Sequence, residues 1–351
     1  MPNPISLLRM QAILIGLFVM MCIPQVRADS DIQLNPAPAA DPAHMRYVKL
    51  ETDLAFSAGY RQDDLDWNIG GYLTPDHYVN VLSELTWDDL ESYQVKLQGS
   101  LVWPNFIAVR GVAVYGWIFD GDNQDSDYAG DNRTIEYLRS NNSSDDGDVW
   151  DVSLAVGYPF RTGRKVIATI TPLVGYSHHE QNLTMTDGSN TISVSVAIPP
   201  YVINSPPQSL GSFSGLDSSY DTEWKGPWIG FDLNFRAAEI KTFAHRIETF
   251  LSYEYHWADY EAVADWNLRQ NLQHPKSFTH DANGNGWIFR AGFNLALQQH
   301  IALNFNFDYQ DWSTDSGTDK IFYAVGTTAK TRLNEVNWTS YSLGLGVSIR
   351  F

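Results

Sequence analysis

Cysteine is almost missing: the 351 residues contain one, Cys22. That excludes a disulfide framework and a cysteine-based zinc site. Basic residues are scarce too, 23 against 41 acidic, for a net charge of -18. General nucleic-acid binding needs a basic face, so no nucleic-acid partner is expected. No apolar run reaches the about 18 residues that a membrane-spanning helix needs. The chain also lacks a Gly-rich phosphate loop, a Gly-x-Ser-x-Gly elbow and a His-Glu-x-x-His pair. What it has in quantity is aromatic side chains: 12 Trp, 18 Tyr and 17 Phe.

The N-terminus reads as a processing segment. Arg9 precedes the apolar run Ile13–Met21, and Val26-Arg27-Ala28 gives a small-residue cleavage pattern before Asp29. Residues 1–28 are therefore expected to be a signal peptide. Met21 before Cys22 fits a lipoprotein site poorly. Residues 29–46, rich in Pro, Ala and Asp, read as a flexible lead-in. Residues 47–351 form the folded part.

In that part the hydrophobic period is two. Leu54, Phe56, Ala58 and Tyr60 share one face of an extended strand, and Asp53 and Ser57 share the other. The same alternation recurs around 229–236, 247–257 and 301–310. Val79, Val81, Leu85, Trp87, Tyr93, Val95, Leu97, Leu101 and Trp103 are all odd-numbered. This constant phase predicts one long strand over 78–103 with those residues on one face. Connections alternate strictly in length. Short ones are expected near 104–105, 161–164, 237–243 and 298–300. Long ones are expected near 61–77, 120–147, 178–223, 259–286 and 311–336. Long loops at one end and short turns at the other mark an outer-membrane barrel. The fold class expected is all-β: a transmembrane antiparallel β-barrel of ten strands. The last strand alternates Tyr341, Leu343, Leu345, Val347 and Ile349 with polar or small residues. It ends on Phe351, an aromatic anchor for the closing strand.

Several stretches resemble the omptins, ten-stranded outer-membrane barrel proteases. They are Ser83-Glu84-Leu85-Thr86-Trp87, Trp103-Pro104-Asn105, and Gly116-Trp117 leading to Asp125-Ser126-Asp127-Tyr128. Gly175-Tyr176, Trp228-Ile229-Gly230 and the Tyr255–Trp257 region follow in the same order. The resemblance implies a water held between an Asp-x-Asp pair on the second long loop and an Asp-x-His pair on the fourth. Asp125 and Asp127 match the first pair, and carboxylates two apart on an extended segment point the same way. The second pair is not matched: its positions fall on Ala264 and Trp266, or, shifted by one, on Asp265 and Asn267. Neither Trp nor Asn serves as a general base. His274 and His280 lie in the same long loop, and His256 shares a polar face with Glu254, which points both toward the lumen. Omptins also hold lipopolysaccharide through an Arg on the fifth strand, and that position is Glu180 here.

Two metal readings are weak. His178 and His179 are adjacent, so on a strand they face opposite sides. Asp281-Ala282-Asn283-Gly284-Asn285-Gly286 fits half a calcium loop, but Gly292 stands where Glu is needed, and a Gly/Asn-rich turn is the expectation. The function expected is that of a non-proteolytic or activity-diverged omptin relative in the outer membrane, whose acidic extracellular loops act as a binding surface. Its partners would be membrane lipid and a cationic peptide or protein met by acidic external loops. Two alternatives stay open: an active endopeptidase using Asp125 and Asp127, and a narrow pore.

Overall fold

The computed structural model describes residues 50–103, 106–162, 167–236 and 246–351. The expected signal peptide and lead-in, and the turns at 104–105 and 237–243, lie outside the described residues. The strands are, in order, Glu51–Thr74, His77–Trp103 and Ile107–Gly130, then a fourth in two segments, Thr134–Ser143 and Gly147–Gly157. Ile167–Ser193, Ser218–Arg236, Arg246–Asp265 and Phe278–Ala296 follow. The ninth has two segments, Ile301–Thr314 and Gly317–Phe322, and Thr328–Arg350 is the tenth. All pair antiparallel, and the first pairs with the tenth from Asp53↔Arg350 to Gly70↔Arg332, closing a ring of 10 strands. Closure leaves no sheet edge with unpaired backbone groups in lipid.

Two aromatic girdles mark the lipid belt. Tyr93, Trp117, Tyr176, Tyr253 and Trp257 lie exposed in the upper one. Trp103, Phe106, Tyr158, Phe160, Phe235 and Phe351 lie exposed in the lower one. From Tyr93 to Trp103 the strand rises about 33 Å, or about 24 Å of height at a tilt near 45°. That matches the apolar band of an outer-membrane barrel. Between the girdles the outer wall carries Phe56, Leu154, Val174, Leu251, Leu343 and Leu345, all exposed.

Above the belt the wall continues, which corrects the expected loops. The first two strands run to Thr74 and from His77, so 61–77 is strand except for the turn at Pro75-Asp76. The same holds for most of 120–147 and 311–336. Substantial connections remain at 194–217 and 266–277. The physical reason is an inversion of polarity. In the belt most inward residues, such as Ser57, Gln94 and Ser252, are polar and the outward ones apolar. Above it, water bathes the outside, and the apolar residues turn inward. Leu65, Trp67, Leu85, Trp87, Trp224 and Trp338 are buried there in one core. Alternation with reversed meaning looks like irregular loop sequence.

The second strand shows how this is encoded, and it corrects the reading of one apolar face. Val79, Val81, Leu85 and Trp87 are buried inside, whereas Tyr93 and Trp103 are exposed outside. A β-bulge separates the two sets. Asp88 and Asp89 stand opposite the single Asp64, and Asp89 has a positive φ of 54°. The Asp89 N–H donates to Asp64 Oδ1 at 2.8 Å. One extra residue flips the side-chain phase. The flip and the change of solvent cancel, so the odd-numbered run stays apolar throughout. The first strand has no such bulge there, and its apolar set changes parity from Tyr60 to Leu65.

The Gly/Asn-rich segment is also strand, not a turn. Asp281–Gly286 pairs with Glu261–His256 on one side. A Cβ on Gly286 would lie 2.2 Å from the Trp312 ring, and one on Gly284 3.1 Å from Trp224. These glycines make room for the tryptophan core.

Candidate functional site

Asp125 and Asp127 sit on the third strand, opposite Leu85 and Ser83 of the second. They share the inward face because this strand too is bulged: the register skips Phe119 between Ile118 and Asp120. Below the bulge Val112, Val114 and Ile118 face in; above it the odd positions Gly121 and Asn123 do. The Ser83 hydroxyl hydrogen-bonds Asp127. Both acids are half-buried in area, yet the protein packed around them holds their carboxyls above the ordinary range. Asp125 is pushed up to about 8 by loss of solvation first and by the Asp127 charge second, with Arg269 opposing. Arg269 also opposes the rise at Asp127. Loss of solvation first, and then the charges of the same two acids, raise the neighbouring Tyr137 phenol.

The fourth extracellular connection faces this pair with a different chemistry from Asp-x-His. Ala264 is fully buried in the core, in register with Tyr220 and Phe278. Trp266 packs edge-on against Phe278 at 4.6 Å, and its backbone N–H donates to Ser277 Oγ at 2.9 Å. Asn267 accepts from the Asp217 N–H at 3.1 Å and the Ser218 hydroxyl at 3.0 Å, tying this connection to the third one. Asp265 contacts His274 Nδ1 at 2.5 Å, in a half-exposed pair.

The other histidines point elsewhere. His280 is buried, with Nδ1 2.8 Å from the Tyr220 hydroxyl and Nε2 3.5 Å from Asp319. His256 lies in the lumen with Nε2 3.1 Å from Glu254 and Nδ1 3.0 Å from Ser177. Glu254 also meets Arg110 and Arg290. Near these, His179 contacts Asp151 at 2.9 Å, and Asp151 accepts from Arg61 at 2.7 Å. Among the described residues every imidazole has a partner other than Asp125 or Asp127. The charged groups cross the lumen at mid-height, and the tryptophan core packs between the strands above them.

Glu180 is on the outer wall above the upper girdle, opposite Glu223. His178 stands between them, 3.4 Å from Glu180 and 3.2 Å from Glu223, stacked on Trp150 at 4.6 Å. His179 faces inward, away from it. Among the described residues no group of three His, Cys, Asp or Glu is arranged for a metal ion.

Sequence reasoning missed Arg269, Tyr137 and Asp319. None of the three left a distinctive signal: Arg269 is one of several cations in the extracellular half, with Arg133, Arg139, Lys225, Lys320 and Arg332.

A closed, girdled ring of antiparallel strands with this polar lumen defines an integral protein of the bacterial outer membrane with the omptin fold. Within that class the chain belongs to the Protochlamydia outer membrane protein family, Pom, whose profile matches residues 55–351. No curated protein matches it in sequence. The outer membrane protease OmpT of Escherichia coli is similar in structure, with a TM-score of 0.65 and 12% identity over 86% of this chain and 97% of that one. OprG of Pseudomonas aeruginosa aligns with a TM-score of 0.32 and 11% identity over 85% and 95%.

Proposed function

We propose that the protein is a non-proteolytic, omptin-fold binding protein whose acidic extracellular surface takes a cationic peptide or protein. One observation carries this reading: the acids Asp125 and Asp127 face the cation Arg269, where hydrolysis would need a base. Water activation needs a proton acceptor with a pKa near the working pH, within hydrogen-bond reach. A guanidinium stays protonated and cannot serve. Trp266 and Ala264 fill the core where the omptin resemblance would put the Asp and His. Outward acids above the belt, among them Asp64, Asp66, Asp122 and Asp259, outnumber cations such as Arg133, Arg139 and Lys225 and make the surface net negative. Such a field steers cationic partners and weakens with salt. Glu180 beside Glu223 makes that wall a poor seat for lipopolysaccharide phosphates, so lipopolysaccharide is not required for binding.

A second reading has one observation in its favour. Asp265 and His274 form a half-exposed Asp-His pair on the fourth connection, as an endopeptidase would need. The deciding assay mixes refolded protein and lipopolysaccharide with peptides bearing paired basic residues. The expected result is no cleavage, with salt-sensitive binding of the same peptides. Cleavage that disappears in both Asp125→Ala and His274→Ala would establish the second reading instead.

A further inference from the structure

The connection between the fifth and sixth strands carries a small β-hairpin, Val196–Ile198 with Tyr201–Ile203, whose strands pair only with each other. From Gly188 to Leu216 no residue is charged, in a chain of net charge -18. Register puts Val196 with Ile203 and Ile198 with Tyr201 on one face, and Ala197 with Val202 on the other. Both faces are thus apolar. Val202 is 56% exposed, Val194 48% and Tyr201 45%. Large exposed apolar side chains grouped together mark an interaction surface.

Three features say what covers it. First, apolar residues on both faces suit a surrounding medium better than a one-sided groove. Second, Pro199, Pro200, Pro206 and Pro207 carry no N–H, so the tip has fewer backbone donors to desolvate and is ill-suited to strand addition. Third, the base is held in place. Asn204 Nδ2 donates to Tyr137 O at 3.3 Å and Val194 O at 3.2 Å, and the Val194 N–H donates to Tyr137 O at 2.9 Å. A tip fixed in advance loses little conformational freedom on docking. A second copy is disfavoured, because it would bring its own acidic surface.

We propose that this hairpin docks into the interfacial zone of an apposed lipid bilayer of zwitterionic headgroups. Tyr201 sits at headgroup level, as aromatic residues do at membrane interfaces, and Val202 and Ile198 enter the acyl boundary. The open edges of a two-stranded hairpin keep it from going deeper, since unpaired backbone groups are costly in hydrocarbon. The acidic surface around it repels bilayers of anionic lipid. The apolar tip includes neither Asp125 nor Asp127, although its base is tied to the backbone of Tyr137 beside them.

The test uses full-length barrel in nanodiscs, mixed with vesicles of phosphatidylcholine alone or with added phosphatidylglycerol, and scored by co-flotation. Native protein should float with phosphatidylcholine vesicles, and less with the anionic ones. Val202→Asp, an exposed position whose change leaves the barrel intact, should reduce flotation about tenfold. A dye on Val202→Cys, in a chain without Cys22, should shift to shorter wavelength when phosphatidylcholine vesicles are added. Equal flotation of native and Val202→Asp protein would overturn the proposal. So would a dye shift that depends on protein concentration and not on vesicles, which would assign the hairpin to self-association.

Discussion

The membrane half and the extracellular half of the barrel are built from the same strands and read in opposite senses. Below the upper girdle, lipid covers the outside and takes the apolar side chains. The lumen there is left to Arg110, Glu254, Arg290, Lys96 and Asp308, linked by ion pairs. Above it, water covers the outside and takes the acids, and the hydrophobic effect drives tryptophans inward. Apolar burial inside the lumen gains nothing against lipid, so charge pairing and hydrogen bonding specify the lower interior. The upper interior is an ordinary packed core that happens to sit on a membrane barrel. The two halves therefore depend on different interactions and should fail under different substitutions.

The largest effect is expected from Glu254→Ala. It leaves two guanidiniums, Arg110 and Arg290, without their shared buried carboxylate, a loss of about 3–5 kcal/mol. Heat-modifiable gel mobility should be lost at a markedly lower temperature, and a Glu254→Gln barrel should fall between. If Glu254→Ala melts with the native protein, the account of the lower half is wrong.

Next comes Gly286→Val, which drives a side chain into Trp312. Overpacking of this kind costs about 1–3 kcal/mol. Its effect should concentrate in the upper half. Near-ultraviolet circular dichroism should weaken while the barrel's gel mobility at room temperature is retained. Loss of both together would mean that the halves do not melt separately.

The smallest effect belongs to Asp125→Asn. Asp125 has its folded pKa raised, so the folded state keeps a proton that the unfolded chain releases. Native stability from this group therefore falls as pH rises from about 4 toward 8. The asparagine variant escapes that loss. It should be more stable than native protein by on the order of 1 kcal/mol at pH 8, discounted for the half-exposed pair, and equal to it near pH 4. A gain that is the same at both pH values would show that charge is not its cause.

Much of the fold was legible because a barrel strand writes its two faces directly into a period of two. The strand count, closure and membrane placement follow from that period and from the terminal Tyr341–Phe351 pattern. What misled was the meaning of the phase. Nothing in the residues Val79 to Trp103 says that the outer solvent changes at Asp88. A bulge is a backbone event, visible in sequence only as two adjacent aspartates. The site was legible in part. Asp125 and Asp127 could be placed because their spacing alone fixes a shared face. Arg269 and His274 could not, because a connection such as 266–277 is positioned by its hydrogen bonds, Asn267 to Ser218 and Trp266 to Ser277. Gly284 and Gly286 read as a turn because the tryptophans they accommodate lie on other strands, Trp312 on the next one and Trp224 two strands earlier.

The tryptophan core has an optical consequence. Trp312 and Trp338 stack with ring centres 5.5 Å apart and planes 15° apart, and Trp224 lies 6.1 Å from Trp338. Indoles this close share their excited states, so the cluster should give a paired, opposite-signed band in the near-ultraviolet. The girdle tryptophans, facing lipid on the outer wall, emit separately and respond to acyl-chain quenchers that never reach the cluster. The native chain thus carries two spectrally distinct reporters, one for insertion and one for closure of the extracellular half.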